Sequence, residues 1–236
     1  MRFPQPLSRG RLLARYKRFF ADVALDDGQV VTAHVPNSGR MLGLLGPDAP
    51  CWLSCSDAPG RRLPWTLELM AAPGGAMVGV NTFHPNRLVA SAIGEGRVPE
   101  LAGYGGLRRE VRYGIGSRID ILLEGAGRPP CWVEVKNVHL LRTPGLYEFP
   151  DCVTDRGRKH LEELARRAEA GDRAVLLFCI QRGDGDRFAA ADDCDPAYAC
   201  ALADAAARGV EVLCYDCEVT EGGIRLARRV PWIDQP

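Results

Sequence analysis

No run of roughly 18 apolar residues occurs anywhere in the chain, which excludes a membrane-spanning helix and any expectation of a membrane partner. Net charge is missing as well: 30 basic groups balance 30 acidic ones, so no global field draws the chain toward a polyanion or a lipid surface. The nine cysteines have no framework spacing and are odd in number, which argues against a disulfide scaffold and for a reducing, cytoplasmic setting. The first residues are charged and proline-bearing rather than apolar, so no export signal is expected. No internal repeat and no low-complexity tract interrupts the sequence.

What is present is an ordinary globular composition, 46% hydrophobic and 25% charged over 236 residues, enough for one large domain or two small ones. Charge is spread unevenly. Residues 1–84 carry 9 basic and 6 acidic groups, and residues 1–18 hold six basic groups and no acidic one. Residues 7–80 read as all-β. An aromatic-rich stretch at 11–25 meets the hairpin turn Asp26-Asp27-Gly28 and returns over 29–35; Pro36-Asn37-Ser38-Gly39 turns again, and short strands follow at 51–56, 62–70 and 76–80. Five or six strands in about seventy residues fit a small closed barrel, for which an OB-like fold is the economical choice. Arg11, Arg15, Lys17 and Arg18 interleave with Tyr16, Phe19 and Phe20. On a barrel surface that mixture suits phosphate neutralisation and base stacking, although Phe19 and Phe20 are read first as core residues.

From residue 86 the pattern changes to α-β-β-β-α-β-α-β, a mixed sheet flanked by helices. Pro85 opens a helix with Leu88, Val89, Ala92 and Ile93 as its apolar stripe. Strands follow at 107–113, 117–123 and 131–137, with a turn at Gly114–Ser117. An amphipathic helix over 156–170 is stopped by Gly171, residues 174–181 form a continuously apolar buried strand, Asp195 and Pro196 open a last helix, and 210–219 is the final strand. Domains at 1–82 and 83–236 follow from this change of pattern.

The chemistry concentrates on two of these strands. Alternation places Arg118, Asp120 and Leu122 on one face, with Ile119, Ile121 and Leu123 opposite; on the next strand Trp132, Glu134 and Lys136 share a face. Two carboxylates and an ammonium thus project from strands that should be apolar, a costly setting unless they are paired or bind a cation. Asp, a turn, then Glu-x-Lys resembles the active-site hairpin of the PD-(D/E)xK nuclease superfamily. That resemblance implies Asp120, Glu134 and the carbonyl of Val135 as ligands of Mg2+ or Mn2+, with Lys136 orienting a water or a phosphate oxygen. A surface hairpin with a Glu/Lys cross-strand pair is the alternative. Glu110 is either an extra carboxylate or an exposed edge residue. Thr154, Arg156, Lys159 and His160 either receive a phosphate at a helix N-terminus or cap and solvate it. Gln181, at the end of a buried strand, needs partners for its amide and either supports the site from behind or makes a structural hydrogen bond. Cys214 and Cys217 have zinc-like spacing, but positions i and i+3 of a strand face opposite ways.

Taken together, the chain closely resembles the sugar fermentation stimulation protein A (SfsA) family. The matching stretches include Ala33-His34-Val35-Pro36-Asn37-Ser38-Gly39, Pro85-Asn86-Arg87-Leu88-Val89, Ser117-Arg118-Ile119-Asp120, Val133-Glu134-Val135-Lys136-Asn137 and Phe149-Pro150-Asp151-Cys152-Val153-Thr154-Asp155. The resemblance implies an N-terminal OB-like barrel joined to a PD-(D/E)xK nuclease-like domain, and DNA binding. Two functions are carried forward. One is a metal-dependent nuclease acting on nucleic acid, DNA first, for which a homodimer would allow two strands to be cut. The other is a non-catalytic DNA-binding regulator of sugar metabolism.

Overall fold

The computed structural model describes residues 1–113 and 116–233; of the expected turn at 114–117, Gly114 and Ile115 lie outside the described residues. The N-terminal half is a barrel of β1 (Ser8–Tyr16), β2 (Phe20–Leu25), β3 (Val30–His34), β4 (Pro50–Cys55) and β5 (Trp65–Ala71), with β6 (Met77–Gly79) added beside β5. β1 pairs with β2 and β4, and a short parallel pairing of β3 with β5 closes the ring in the OB manner. Alternation makes the interior: Leu12, Ala21, Val23, Val31, Ala33, Leu53 and Leu67 fill it.

The stretch at 11–25 is two strands rather than one. Its turn carries no glycine: Lys17 and Arg18 bend the chain with φ of 48° and 64°, a left-handed conformation that nothing in their residue type announces. Phe19 and Phe20 correct a second expectation. Phe19 is 44% exposed, and Phe20 is half-buried against Tyr16 outside the barrel core.

The C-terminal half is a six-stranded mixed sheet in the order β15-β14-β12-β9-β8-β7. Its strands are β7 (Gly106–Tyr113), β8 (Ser117–Glu124), β9 (Cys131–Val138), β12 (Arg173–Ile180), β14 (Glu211–Thr220) and β15 (Gly223–Arg229). A three-stranded sheet of β10 (Leu140–Thr143), β11 (Leu146–Phe149) and β13 (Arg187–Ala190) lies beside it. β10, β11, β13 and β15 were not expected from the sequence, and 210–219 is therefore not the last strand. The three shortest have too few residues for a period to show.

The expected helices form: α1 (Pro85–Gly94), α2 (Asp155–Glu169) and α3 (Pro196–Ala207). Thr154 caps α2 by accepting from Gly157 N–H, and Asp195 caps α3 by accepting from Tyr198 N–H. α1 and the barrel's Trp52 and Leu69 cover one face of the large sheet; α2, α3 and the small sheet cover the other. β12, in the middle, is buried on both faces, as its unbroken apolar run demands. Cys214 and Cys217 point into these two different cores, so they cannot share a metal. Among the described residues no helix is long and apolar enough to cross a membrane.

Candidate functional site

β8 and β9 pair as an antiparallel hairpin only near their turn, at Leu123↔Cys131, Leu122↔Trp132 and Ile121↔Val133. One step further the ladder gives way to a side chain: Asp120 Oδ2 accepts the Val135 N–H at 2.8 Å. The regular alternation of β8 breaks at the same place. Ile119 packs with Leu122 in the α2-side core, while Ile121 and Leu123 lie in the α1-side core, so the expected grouping of Ile119 with Ile121 is corrected. Asp120 is then within reach of α1, where Asn86 Nδ2 donates to its Oδ1 at 2.6 Å. Across β7, Glu110 holds φ at 54°; its carboxylate receives the same Asn86 amide at 3.4 Å and remains exposed.

Glu134 is buried, at 3% exposure. Its Oε1 accepts from Lys136 Nζ at 2.8 Å and from His160 Nδ1 on α2. Arg156 donates to His160 Nε2 at 3.3 Å. A guanidinium can only donate, so Nε2 must accept, and the ring proton sits on Nδ1 facing Glu134. Glu134 Oε2, by contrast, is buried and has no hydrogen-bond partner among the described residues. Burial would raise the Glu134 pKa, but Lys136 and His160 outweigh it and hold the carboxyl below its ordinary value. Asp120 shifts the other way, up to about 6, first through burial and then through the nearby Glu134 charge. Burial together with the Glu134, Glu163 and Asp120 carboxylates pushes up the Tyr113 phenol at the end of β7.

Two desolvated carboxylates, one with an orphaned oxygen, form a hard-oxygen donor set that fits a divalent cation. Among the described residues no three His, Cys, Asp or Glu side chains group around one point, so the Val135 carbonyl and water would have to complete the shell.

The other candidates divide. Lys17 and Arg18 stand at the β1–β2 turn and line surface clefts. Arg15 does not reach outward: its guanidinium donates to the carbonyls of Arg18, Asn37, Gly39 and Arg40, pinning two loops. Arg11 turns toward the Asp48 carbonyl, away from those clefts. His160 is buried against Glu134 rather than offered to a phosphate, and Arg156 positions it. Lys159 sits 3.9 Å from Glu163. Thr154 is a helix cap with its N–H given to Asp195, and touches none of Asp120, Glu134 or Lys136. Gln181 lies at the seam with the barrel: its Nε2 donates to the Asn81 carbonyl at 3.0 Å and to Asn137 Oδ1 at 2.7 Å. Asn86 was not singled out by sequence reasoning. Its one signal was a polar amide directly after the proline that opens α1, and its contact with Asp120 is 34 residues away in sequence.

Comparison with known proteins agrees with this fold. A family profile described as the SfsA N-terminal OB domain matches residues 13–80, and one described as the sugar fermentation stimulation protein RE domain matches residues 83–223. Sugar fermentation stimulation protein homologs resemble the chain along almost all its length. That of Rhodospirillum centenum is 57% identical over 97% of both chains, and that of Caulobacter vibrioides is 52% identical over 98% of this chain and 97% of its own. Among solved structures, Pyrococcus furiosus SfsA in complex with Ca2+ superposes with a TM-score of 0.89 at 26% identity, covering 99% of this chain and 98% of that one.

Proposed function

The chain belongs to the sugar fermentation stimulation protein family, and from that premise we propose that it binds nucleic acid and hydrolyses phosphodiester bonds at Asp120, Glu134 and Lys136 with the help of Mg2+ or Mn2+. The observation that carries this reading is the buried, unpartnered Glu134 Oε2 beside a desolvated Asp120. Lys136 and His160 compensate Glu134 at Oε1 only, so its Oε2 and the Asp120 charge would be stabilised further by a group that brings positive charge. The Pyrococcus furiosus relative was solved with Ca2+, a hard cation with the same preference for oxygen ligands.

Asp120, Glu134 and the Val135 carbonyl would hold the ion, whose chemistry there is to polarise a phosphodiester oxygen and acidify water. The Asn86 amide and the Val135 N–H fix the Asp120 carboxylate in place. Lys136 gives one ammonium proton to Glu134; the other two can donate to a phosphate oxygen or an incoming water. His160, oriented by Arg156, keeps Glu134 ionised and pointing one way.

The test is incubation of purified protein with single- and double-stranded DNA and RNA in Mg2+ or Mn2+. Glu134→Ala and Lys136→Ala should each lower cleavage by about 100-fold or more, as for other preorganised groups. Intact substrates under every condition would remove the enzymatic reading. A non-catalytic DNA-binding regulator is the second reading, favoured by the internal neutralisation of Glu134 by Lys136. DNA affinity that is indifferent to Mg2+ supports the regulator; affinity that rises with Mg2+ and is followed by cleavage supports the enzyme.

A further inference from the structure

Two clefts share the β1–β2 turn. One, of about 720 Å³, is lined by Tyr16, Lys17, Phe20, Thr32, His34, Arg61 and Arg62 on the outer face of the barrel. The other, of about 520 Å³, again includes Tyr16 and Lys17 and continues past Arg18 and Arg40 to Cys152 and Val153. Val153 immediately precedes Thr154, the cap of α2, and His160, which touches both Glu134 and Lys136, lies six residues further on, about 9 Å along the helix axis. The second cleft therefore ends at the N-terminus of the helix that carries His160.

Their lining is specialised. Tyr16 and Phe20 are cross-strand partners with rings stacked at 5.6 Å and 11°. Tyr16, Phe19 and Val153 are exposed at 38%, 44% and 65%, although each could lower the free energy by burial. Several surface arginines elsewhere are tied to carboxylates, Arg97 to Glu95, Arg142 to Glu148 and Asp193, and Arg208 to Glu162 and Glu169, while others such as Arg87 and Arg109 pair with none among the described residues. Lys17, Arg18, Arg40 and Arg62 enter no ion pair among the described residues. Asp22, beside the cleft, already accepts from the Tyr16 and Thr32 hydroxyls at its Oδ1. Burial and then the Arg61 charge hold the His34 pKa below its ordinary value, so the ring is a neutral hydrogen-bonding group at neutral pH. Exposed stacking faces interleaved with uncommitted cations bind unpaired bases and their phosphates, whereas a duplex keeps its base faces covered.

We propose that the two clefts form one track for a single-stranded nucleic acid, which crosses the barrel face, rounds the β1–β2 turn and is delivered past Val153 to the Asp120–Glu134 site. The track rests on the reading of the protein as a nucleic-acid binder and adds the strand form, the surface and the route.

The test is fluorescence anisotropy of the full chain in EDTA, so that no turnover intervenes, with labelled oligo(dT) and oligo(rU) of about 20 nucleotides, long enough to cross an OB face and continue beyond it, and a duplex of equal length. Arg62→Glu perturbs only the barrel cleft and Arg40→Glu only the junction cleft; both are surface changes, and an unchanged melting temperature checks their folding. The single strands are expected to bind at least about tenfold more tightly than the duplex. Each variant should weaken single-strand binding about tenfold, the double variant by the product of the two, with the salt slope shallower by roughly 0.7 for each lost phosphate contact. A response to Arg62→Glu alone overturns the continuous route, and equal affinity for duplex overturns the single-strand assignment. Both leave the cleavage assay to decide the function. No binding to any of the three probes, either in EDTA or with Ca2+ in its place, would remove track and nucleic-acid reading together.

Discussion

Asp151 shows how much one carboxylate can hold. Its Oδ2 accepts the Met41 N–H from the barrel side at 2.9 Å and stands 3.4 Å from His139 Nε2 on the sheet side. Gly39 is a glycine for the same reason: a Cβ there would come within 2.7 Å of both carboxylate oxygens. Burial alone would raise the Asp151 pKa, but His139 and the Met41 N–H outweigh it and hold the group down at about 2. A folded-state value below the unfolded one means stability that is present above about pH 4 and lost as pH falls toward 2. Asp151→Asn should therefore cost about 2 kcal/mol at neutral pH, with the gap to wild type closing between pH 4 and pH 2 in urea unfolding; a gap that persists at pH 2 would assign the loss to packing instead. The sequence showed the two carboxylates and the lysine of the candidate site because they break an apolar pattern within one hairpin. It could not show what His139 and His84 touch. His84 meets Glu68 at 2.7 Å, in a buried cluster with Ser54 and Asn81, and both contacts are made by chain that returns from elsewhere, which no local period records.

At the level of elements, the β1–β2 hairpin stores strain where a designer would place Asn-Gly. Lys17 and Arg18 both adopt positive φ, at roughly 1 kcal/mol for each such residue. Replacing them with Asn and Gly should raise stability by about 1 kcal/mol or more in thermal melts and weaken single-strand binding severalfold, the pattern expected where strain is kept for function. Unchanged binding would show that the two cations are there for solubility alone. This turn was illegible for the reason that makes it interesting: its residues are chosen for charge and not for backbone freedom. The long elements were legible because their patterns are redundant. α2 has a cap, an apolar stripe and a stop at Gly171, whose φ is 90°, and β12 is apolar throughout. The interruption of β8 at Asp120 was not, since nothing in a period of two announces where a side chain replaces a ladder hydrogen bond.

Barrel and sheet meet along a seam that sequence patterns described only as a change of composition. Trp52 and Leu69 of the barrel bury into the core that α1 shares with the large sheet. The first residues do not join the barrel at all: Met1 exchanges backbone hydrogen bonds with Ile224, and Phe3 N–H donates to the Gly222 carbonyl beside β15. The closest approach is at Gly79, whose N–H donates to the Gln181 carbonyl at 2.7 Å. A Cβ on residue 79 would fall 2.6 Å from Gln181 Oε1 and 3.0 Å from its Cβ. Gln181 is fully buried and held by Asn81 and Asn137, so it has nowhere to move. Gly79→Ala should therefore cost about 2 kcal/mol or more and separate the two halves, turning one calorimetric transition into two. Adding Gln181→Ala makes room for the new methyl group while losing the two amide hydrogen bonds. If the seam transmits cooperativity by this contact, the double variant should lose less stability than the two single losses summed, with its transitions drawn back together. Strict additivity, or one unbroken transition in Gly79→Ala, would place the coupling at the Trp52–Leu69 patch and the N-terminal strap instead.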